Sequence, residues 1–408
     1  MKELSKTILE IKPSETIRVS NKLKELKDKG FETIDFGVGE PDFKLFDNIK
    51  NKGIDAIKED KNKYTTVSGI LTLKKEIINK LKRDNLLDYN QDEIIISNGA
   101  KHSLYNAIFA LSNPGDEFII IKPYWVSYVD QIKLCNATPI FADSDNLDVK
   151  ADLIEKKITN KTKAIIINSP SNPSGKIIPK DELLKIANLA IKHDLYIISD
   201  EVYEYYSYDN SFISIASLND EIKKRTITVN SCSKSYAMTG LRIGYIAASK
   251  EIIKLINSFQ GHITSNVSNI SQEMAVEALK LTKNDLNEII NNFKEKRDYV
   301  INELNINLSI PNGAFYVFIP INKTNLNSVD FAEKLLIEEK IAVVPGIAFG
   351  MENYVRLSYS LDKDSLIKGI ERFKSFFKRN SSWKKKYIFL IDLLILYYYS
   401  HENQYYFL

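Results

Sequence analysis

Lys234 sits in TITVNSCSKSYAMTGLRIGY (residues 226–245), just past an apolar run and inside a hydroxyl-rich turn. A lysine at the end of a buried strand is desolvated, which favours its neutral amine and makes it a nucleophile and a base. Ser231 and Ser233 precede it and Arg242 follows eight residues on. These supply the hydroxyl donors and fixed positive charge that hold a phosphate. In LYIISDEVY, Asp200 ends a second apolar run, at the strand edge where open α/β sheets bind ligands. A carboxylate there needs a partner, and a protonated ring nitrogen suits it. Asn172 stands in the proline-bounded turn of IIINSPSNPSG, and Trp125 of PYWVSY offers a face that could stack on a ring. In ISNGAKHSLYNAIFAL (96–111) an apolar run, a glycine turn and a helical pattern follow one another. The amides of Gly99, Ala100 and Lys101 then form an anion site at a helix start. Taken singly, each feature also has an ordinary reading: a solvated lysine, a capping Asp, plain turn chemistry, a buried Trp.

The elements that must position these groups are legible from their periodicity. Seven short apolar runs read as strands: 93–97, 117–121, 138–142, 163–168, 195–199, 226–230 and 243–248. Helical stretches such as 101–112, 179–193 and 271–282 lie around them. Strands apolar on both faces and separated by helices call for a mostly parallel sheet covered on both sides. Residues 15–30 read as an amphipathic helix stopped by Gly30, followed by the turn-rich DFGVGEPDF; 70–83 is helical again. Past residue 285 the pattern changes to a long polar helix (285–303), short strands in GAFYVFIPI, IAVVPG and YVRLSYS, and helices at 328–339 and 363–378. The organisation expected is a large α/β domain over 45–285 and a smaller α+β domain of 286–378 joined by the arm 1–44. Residues 379–408 form an atypical apolar tail, whose apolar stretch at 387–399 is interrupted by Asp392. That is short of the roughly 20 residues a spanning helix needs.

Composition removes several classes. Of 408 residues, 44% are hydrophobic and 27% charged, ordinary globular values, and the net charge is only +3. A net charge this small implies neither nucleic acid nor an anionic membrane as partner. Cys135 and Cys232 give no disulfide framework and no metal knuckle, so no metal is expected; together with an N-terminus lacking an apolar signal core this points to a cytoplasmic protein. There is no GxxxxGK[ST] or GxGxxG loop, which disfavours a nucleoside triphosphate or NAD.

In order along the chain, KPSET, GEPDF, KYTTVSG, SNGAKHSL, KPYWVSY, NSPSNPSG, SDEVY, SKSYAMTGLRIGY, GAFYVF, VVPGIAFG and VRLSYS resemble the pyridoxal-phosphate-dependent class I/II aminotransferases, most of all the bacterial aspartate aminotransferase branch. The resemblance spans about residues 4–378 and implies a fold-type I pyridoxal-phosphate-dependent transferase. It implies that Lys234 bonds to the aldehyde of pyridoxal 5'-phosphate and later moves the substrate proton. Asp200 would pair with the ring nitrogen, Asn172 and Tyr203 with the phenolic oxygen, and Trp125 would stack on the ring. Gly99, Ala100, Lys101, Ser231 and Arg242 match the phosphate cup, with Tyr64 reaching the phosphate of the neighbouring subunit. Arg356, with Gly39, would clamp the substrate α-carboxylate. Leu241 stands where the family often has Trp, and Ser174 where it often has Thr; neither change removes a reactive group.

The reaction implied is ping-pong transamination between an L-amino acid, aspartate first, and a 2-oxo acid. Lys101 resembles the lysine that takes a distal carboxylate, with Ser14 and Thr16 nearby, and Lys12 a position linked to prephenate use. The alternatives are an aromatic, neutral or prephenate aminotransferase, or a β-lyase. A non-catalytic regulator is disfavoured because residues 1–40 are too short for a DNA-binding module. Tyr64 and the loop 260–266 imply a homodimer with shared active sites.

Overall fold

A computed structural model describes residues 4–9, 11 and 15–381. Lys12, Ser14 and the apolar stretch 387–399 therefore lie outside the described residues. Twelve strands are assigned among them. In chain order they are β1 (Ile34–Asp35), β2 (Ile94–Asn98), β3 (Glu117–Ile121), β4 (Thr138–Ala142), β5 (Thr162–Asn168) and β6 (Tyr196–Asp200). β7 (Thr226–Ser231), β8 (Ile243–Ala247), β9 (Tyr316–Pro320), β10 (Ile341–Ala342), β11 (Val344–Pro345) and β12 (Tyr354–Ser358) follow.

The seven runs read as strands from the sequence are the seven strands of the main sheet, in the order β2-β8-β7-β6-β5-β3-β4. Only β8 runs against its neighbours, being antiparallel to both β2 and β7. The remaining strands share one direction, so their C-terminal ends all meet at one edge. Alternation sends successive strand residues to opposite faces. On one face Ile95, Ile120, Ile166, Ile198 and Val229 pack with Leu104 and Ile108 of the Ala100–Leu111 helix. On part of the other, Ile119, Ile165, Ile167 and Ile197 pack with Leu183 and Ile186 of the Lys180–Lys192 helix. Covering both faces is what made these runs uninterruptedly apolar.

The helices fall where the periodicity placed them, with ends moved by at most two residues: Glu15–Asp28, Leu71–Asn85, Asn287–Leu304, Ser328–Glu339 and Lys363–Asn380 are examples. Gly30 takes φ +85°, the left-handed conformation suited to a chain leaving a helix. The turn reading of DFGVGEPDF needs correction at its start. Ile34 and Asp35 form β1, paired in parallel with Ile341 and Ala342 of β10. Two residues are too short to show a period of two, so the pattern could not reveal this strand. β9, β11 and β12 make a small antiparallel sheet in which Arg356 pairs with Phe318 on one side and Val344 on the other. No helix among the described residues is long and apolar enough to cross a membrane.

Candidate active site

Register alone brings the polar groups together. Asn168 pairs with Asp200 across β5 and β6, and Asp200 with Val229 across β6 and β7, so Asn168, Asp200 and Ser231 end neighbouring strands at the common edge. Because β8 is reversed, its start lies beside the end of β2, with Asn98 opposite Ile243, and Arg242 enters the same edge. A cavity of about 360 Å³ opens there, and Lys234, Asp200, Tyr203, Asn172, Trp125, Ala100, Lys101, Ser231, Arg242, Arg356 and Gly39 all line it. Tyr64 does not line this cavity; its side chain is 92% exposed.

Lys234 donates from Nζ to the Gly39 carbonyl at 2.5 Å. Burial, reinforced by the positive charges of Arg356 and Arg242, lowers its pKa to about 8 against the pull of Glu40 and Asp200. At pH 8 about half of such amines are neutral, against well under 1% for an ordinary lysine. Asp200 is buried, and desolvation raises it to about 6 although Tyr128 and the Val202 amide donate to it. The Tyr128 hydroxyl reaches Asp200 Oδ2 at 2.6 Å. At neutral pH Asp200 is mostly a carboxylate awaiting a cationic partner.

Arg356 is buried and stacked between the rings of Tyr316 (4.5 Å) and Phe349 (5.2 Å). It donates from Nη1 to Asn172 Oδ1 at 2.9 Å and from Nη2 to the Gly37 carbonyl at 2.7 Å. The Gly37 carbonyl thus holds Arg356, while the Gly39 carbonyl meets Lys234 and Gly39 itself lines the cavity. The Arg356 Nε is buried without a partner among the described residues. Asn172 itself is fixed by its N–H donating to Asn168 Oδ1 at 2.7 Å.

The phosphate-sized end is built by close backbone approach. Arg242 adopts φ +55° and donates to the Thr239 and Asn98 carbonyls. A Cβ on Gly99 would come within 2.3 Å of Arg242 Nη2, and one on Gly244 within 2.3 Å of the Gly99 carbonyl carbon. Both positions must be glycine for the start of the Ala100–Leu111 helix to reach Arg242. The first amides of a helix have no intrahelical acceptor and face an anion readily. Pyridoxal phosphate fits this donor set: an anion cradle at one end, a buried carboxylate for the ring nitrogen, and a partly neutral lysine for the aldehyde.

Lys101 Nζ lies over the Trp125 ring at 5.2 Å, and burial together with the charge of Arg242 lowers its pKa. Its side chain thus sits with Trp125 at the cavity. Cys232 is wholly buried with its thiol pushed up to about 12, which suits packing. His102 is outside the cavity lining; its Nδ1 accepts from the Asn98 amide at 3.1 Å and steadies the turn before Gly99.

Sequence reasoning did not single out four groups that complete the site. Tyr128 touches Asp200, Asn168 orients Asn172, and Tyr316 meets the Tyr203 hydroxyl at 2.9 Å while stacking on Arg356. The fourth is a buried network behind the strands: Lys80 pairs with Glu204, and Asn85 and Asn230 donate to Glu204 at 2.7 and 2.8 Å. Asn230 directly precedes Ser231, so the network braces the strand end that carries the cradle.

Three comparisons bear on this arrangement. Residues 32–373 match the family model described as aminotransferase class I and II. A probable aspartate/prephenate aminotransferase of Aquifex aeolicus is 41% identical over 91% of this chain and 98% of that protein. An aspartate aminotransferase of Bacillus sp. strain YM-2 is 39% identical over 93% of this chain and 100% of that protein. Among solved structures, the aspartate aminotransferase of Thermus thermophilus with maleate superposes with a TM-score of 0.88 at 34% identity, covering 92% of this chain and all of that one.

Proposed function

The chain belongs to the class I and II aminotransferases and is a pyridoxal-phosphate-dependent transaminase; from that premise we propose that its amino donor is aspartate, with a 2-oxo dicarboxylic acid as acceptor. The observation that carries the substrate reading is that two cations besides the cradle arginine, Arg356 and Lys101, line the cavity that Lys234 enters. One carboxylate takes the buried guanidinium, and a second needs the other cation. The names of the Aquifex, Bacillus and Thermus relatives support the same substrate. Prephenate as a further acceptor is supported by the Aquifex relative's name.

When bound, pyridoxal phosphate supplies an aldehyde that bonds to amines and a ring that takes up the electrons released at the substrate Cα. The chain does the rest. Lys234 would hold the group through its aldehyde, and as a neutral amine would take the proton from the substrate Cα. Its pKa, lowered to about 8, keeps a usable share of that amine neutral near physiological pH. Asp200 would keep the ring nitrogen protonated, and Tyr128 holds the Asp200 carboxylate in place. Asn172 and Tyr203 would hold the ring's phenolic oxygen. Ser231, Arg242 and the amides at Gly99–Lys101 would anchor the phosphate, and Arg356 would hold the substrate α-carboxylate.

Single-turnover mixing of the cofactor-loaded protein with aspartate, and separately with tyrosine, tests the substrate reading. The expected result is one equivalent of oxaloacetate per subunit. Lys101→Ala is expected to lower kcat/KM for aspartate about 10- to 100-fold while leaving tyrosine little changed. Turnover of tyrosine alone would reject aspartate as the donor.

The same reading takes the protein to be a cytoplasmic homodimer, with a cofactor-binding body over 45–285 and a smaller unit of 1–44 and 286–378. Pairing of β1 with β10 supports joining the N-terminal arm to the C-terminal third. Exposed apolar groups support the dimer: Phe109 stacks on Phe259 at 4.2 Å while 42% exposed, and Leu255 and Ile263 are 59% and 58% exposed. Tyr64 would then complete the partner's phosphate cradle. Mixing Tyr64→Phe with Lys234→Ala subunits checks this. In a mixed dimer one site carries both lesions and the other neither, so activity should exceed that of either parent; no gain on mixing would contradict shared sites.

A further inference from the structure

The segment 35–40 supplies backbone carbonyls to both working side chains of the cavity. Gly37 O accepts from Arg356 Nη2 at 2.7 Å, and Gly39 O accepts from Lys234 Nζ at 2.5 Å. Both ends of the segment are tied down. Phe36 donates its N–H to Ala342 O at 2.9 Å and accepts from Ser358 N at 2.8 Å, and Glu40 O accepts from Ser360 Oγ at 2.6 Å. Between these ties the turn is closed by a side chain: Asp35 Oδ1 accepts from the Gly37 N–H at 2.8 Å. An Asp that bonds the amide two residues on imposes a local turn that the backbone alone does not specify.

Asp35 is half-buried on β1; burial raises its carboxyl pKa, while the Gly37 amide and the charge of Arg356 oppose that rise. Arg356 has its two terminal nitrogens on neutral oxygens and its faces on two rings, so Asp35 supplies negative charge near this buried guanidinium. A charge kept out of water needs such compensation.

We infer that Asp35 is a positioning residue for carboxylate recognition: through the Gly37 amide it aims the Gly37 carbonyl at Arg356, and through its charge it keeps the guanidinium seated. The inference rests on the reading that Arg356 takes the substrate carboxylate. Asp35 does not touch substrate. It acts on KM through Arg356 more than on the proton transfer carried out by Lys234.

The test uses the cofactor-loaded full chain, with maleate binding followed by its change in the visible spectrum and with aspartate kinetics alongside. Asp35→Ala removes both the acceptor and the charge, and is expected to weaken maleate binding and raise the aspartate KM about tenfold, with kcat changed less than threefold. Asp35→Asn retains an oxygen for the Gly37 amide and loses only the charge, so about threefold weaker maleate binding is expected; it also serves if the alanine variant does not fold. Arg356→Ala separates the two levels of the claim. If it leaves maleate binding unchanged, Arg356 is not the carboxylate ligand and the inference falls with that reading. If Arg356→Ala abolishes binding while both Asp35 variants bind maleate within twofold of the parent, the inference alone is overturned. Equal losses in kcat and 1/KM in the Asp35 variants would mark general structural damage and also overturn it.

Discussion

Lys234→Ala is expected to fold, to bind pyridoxal phosphate without a covalent bond, and to lose at least about 10⁴-fold in kcat. The size of the loss follows from two roles in one nitrogen: it holds the aldehyde carbon and it carries the Cα proton. Lys234→Arg sharpens the expectation. Arginine keeps a cation in the cavity but never offers a neutral amine at working pH. If the lysine acted mainly as a positive charge, Arg would preserve much of the rate. Because the lysine must act as a neutral amine, a form that its pKa of about 8 makes accessible, both variants should fail alike. Steady-state assay with aspartate and 2-oxoglutarate, at a cofactor concentration that saturates the variants, distinguishes the two outcomes.

Asp200→Asn should separate stability from function. The wild-type carboxyl has its pKa raised from 3.8 to about 6 by burial, so the folded chain keeps a proton that the unfolded chain has already lost. Without cofactor, stability therefore declines as pH rises from about 4 to about 6, and the deficit persists above that. A shift of this size corresponds to about 3 kcal/mol. Asparagine removes the buried charge and still offers Tyr128 an acceptor. The cofactor-free variant should resist denaturant more than its parent at pH 7.5, by up to about 3 kcal/mol, with the difference fading toward pH 4. With cofactor bound the order reverses in function: a neutral amide cannot hold the proton on the ring nitrogen, and kcat should drop about 100- to 1000-fold. A variant that is less stable without cofactor at pH 7.5 would show that Asp200 is held by contacts stronger than its desolvation.

The architecture was legible because burial on both faces leaves a simple record. Runs such as EFIII and KAIIIN have no polar side to hide, and seven of them in series leave little choice of sheet. Strand ends then located Asp200, Asn172, Ser231 and Lys234, since a polar group that follows an apolar run sits at an edge. Arg356 was reached through its motif rather than through any edge signal. What stayed hidden depends on contacts between distant segments. Tyr128 lies 72 residues from Asp200, and nothing in the spacing of KPYWVSY announces the bond between them. Lys80, in a helix rich in lysine, reads as a solvated residue, yet it is only 1% exposed because Glu204 and Asn85 reach it from elsewhere. Asp35 was obscured differently: its strand is too short to carry a period, and its role depends on the turn beyond it.

Borohydride reduction of the cofactor-loaded protein, followed by peptide mapping, tests most directly that Lys234 carries the chemistry. Reduction fixes the bond between lysine and cofactor as a stable amine. The predicted result is one added reduced cofactor per subunit, on the peptide containing Lys234, and none in Lys234→Ala. Label on Lys101 or Lys80, or on no lysine at all, would contradict the assignment of the cavity.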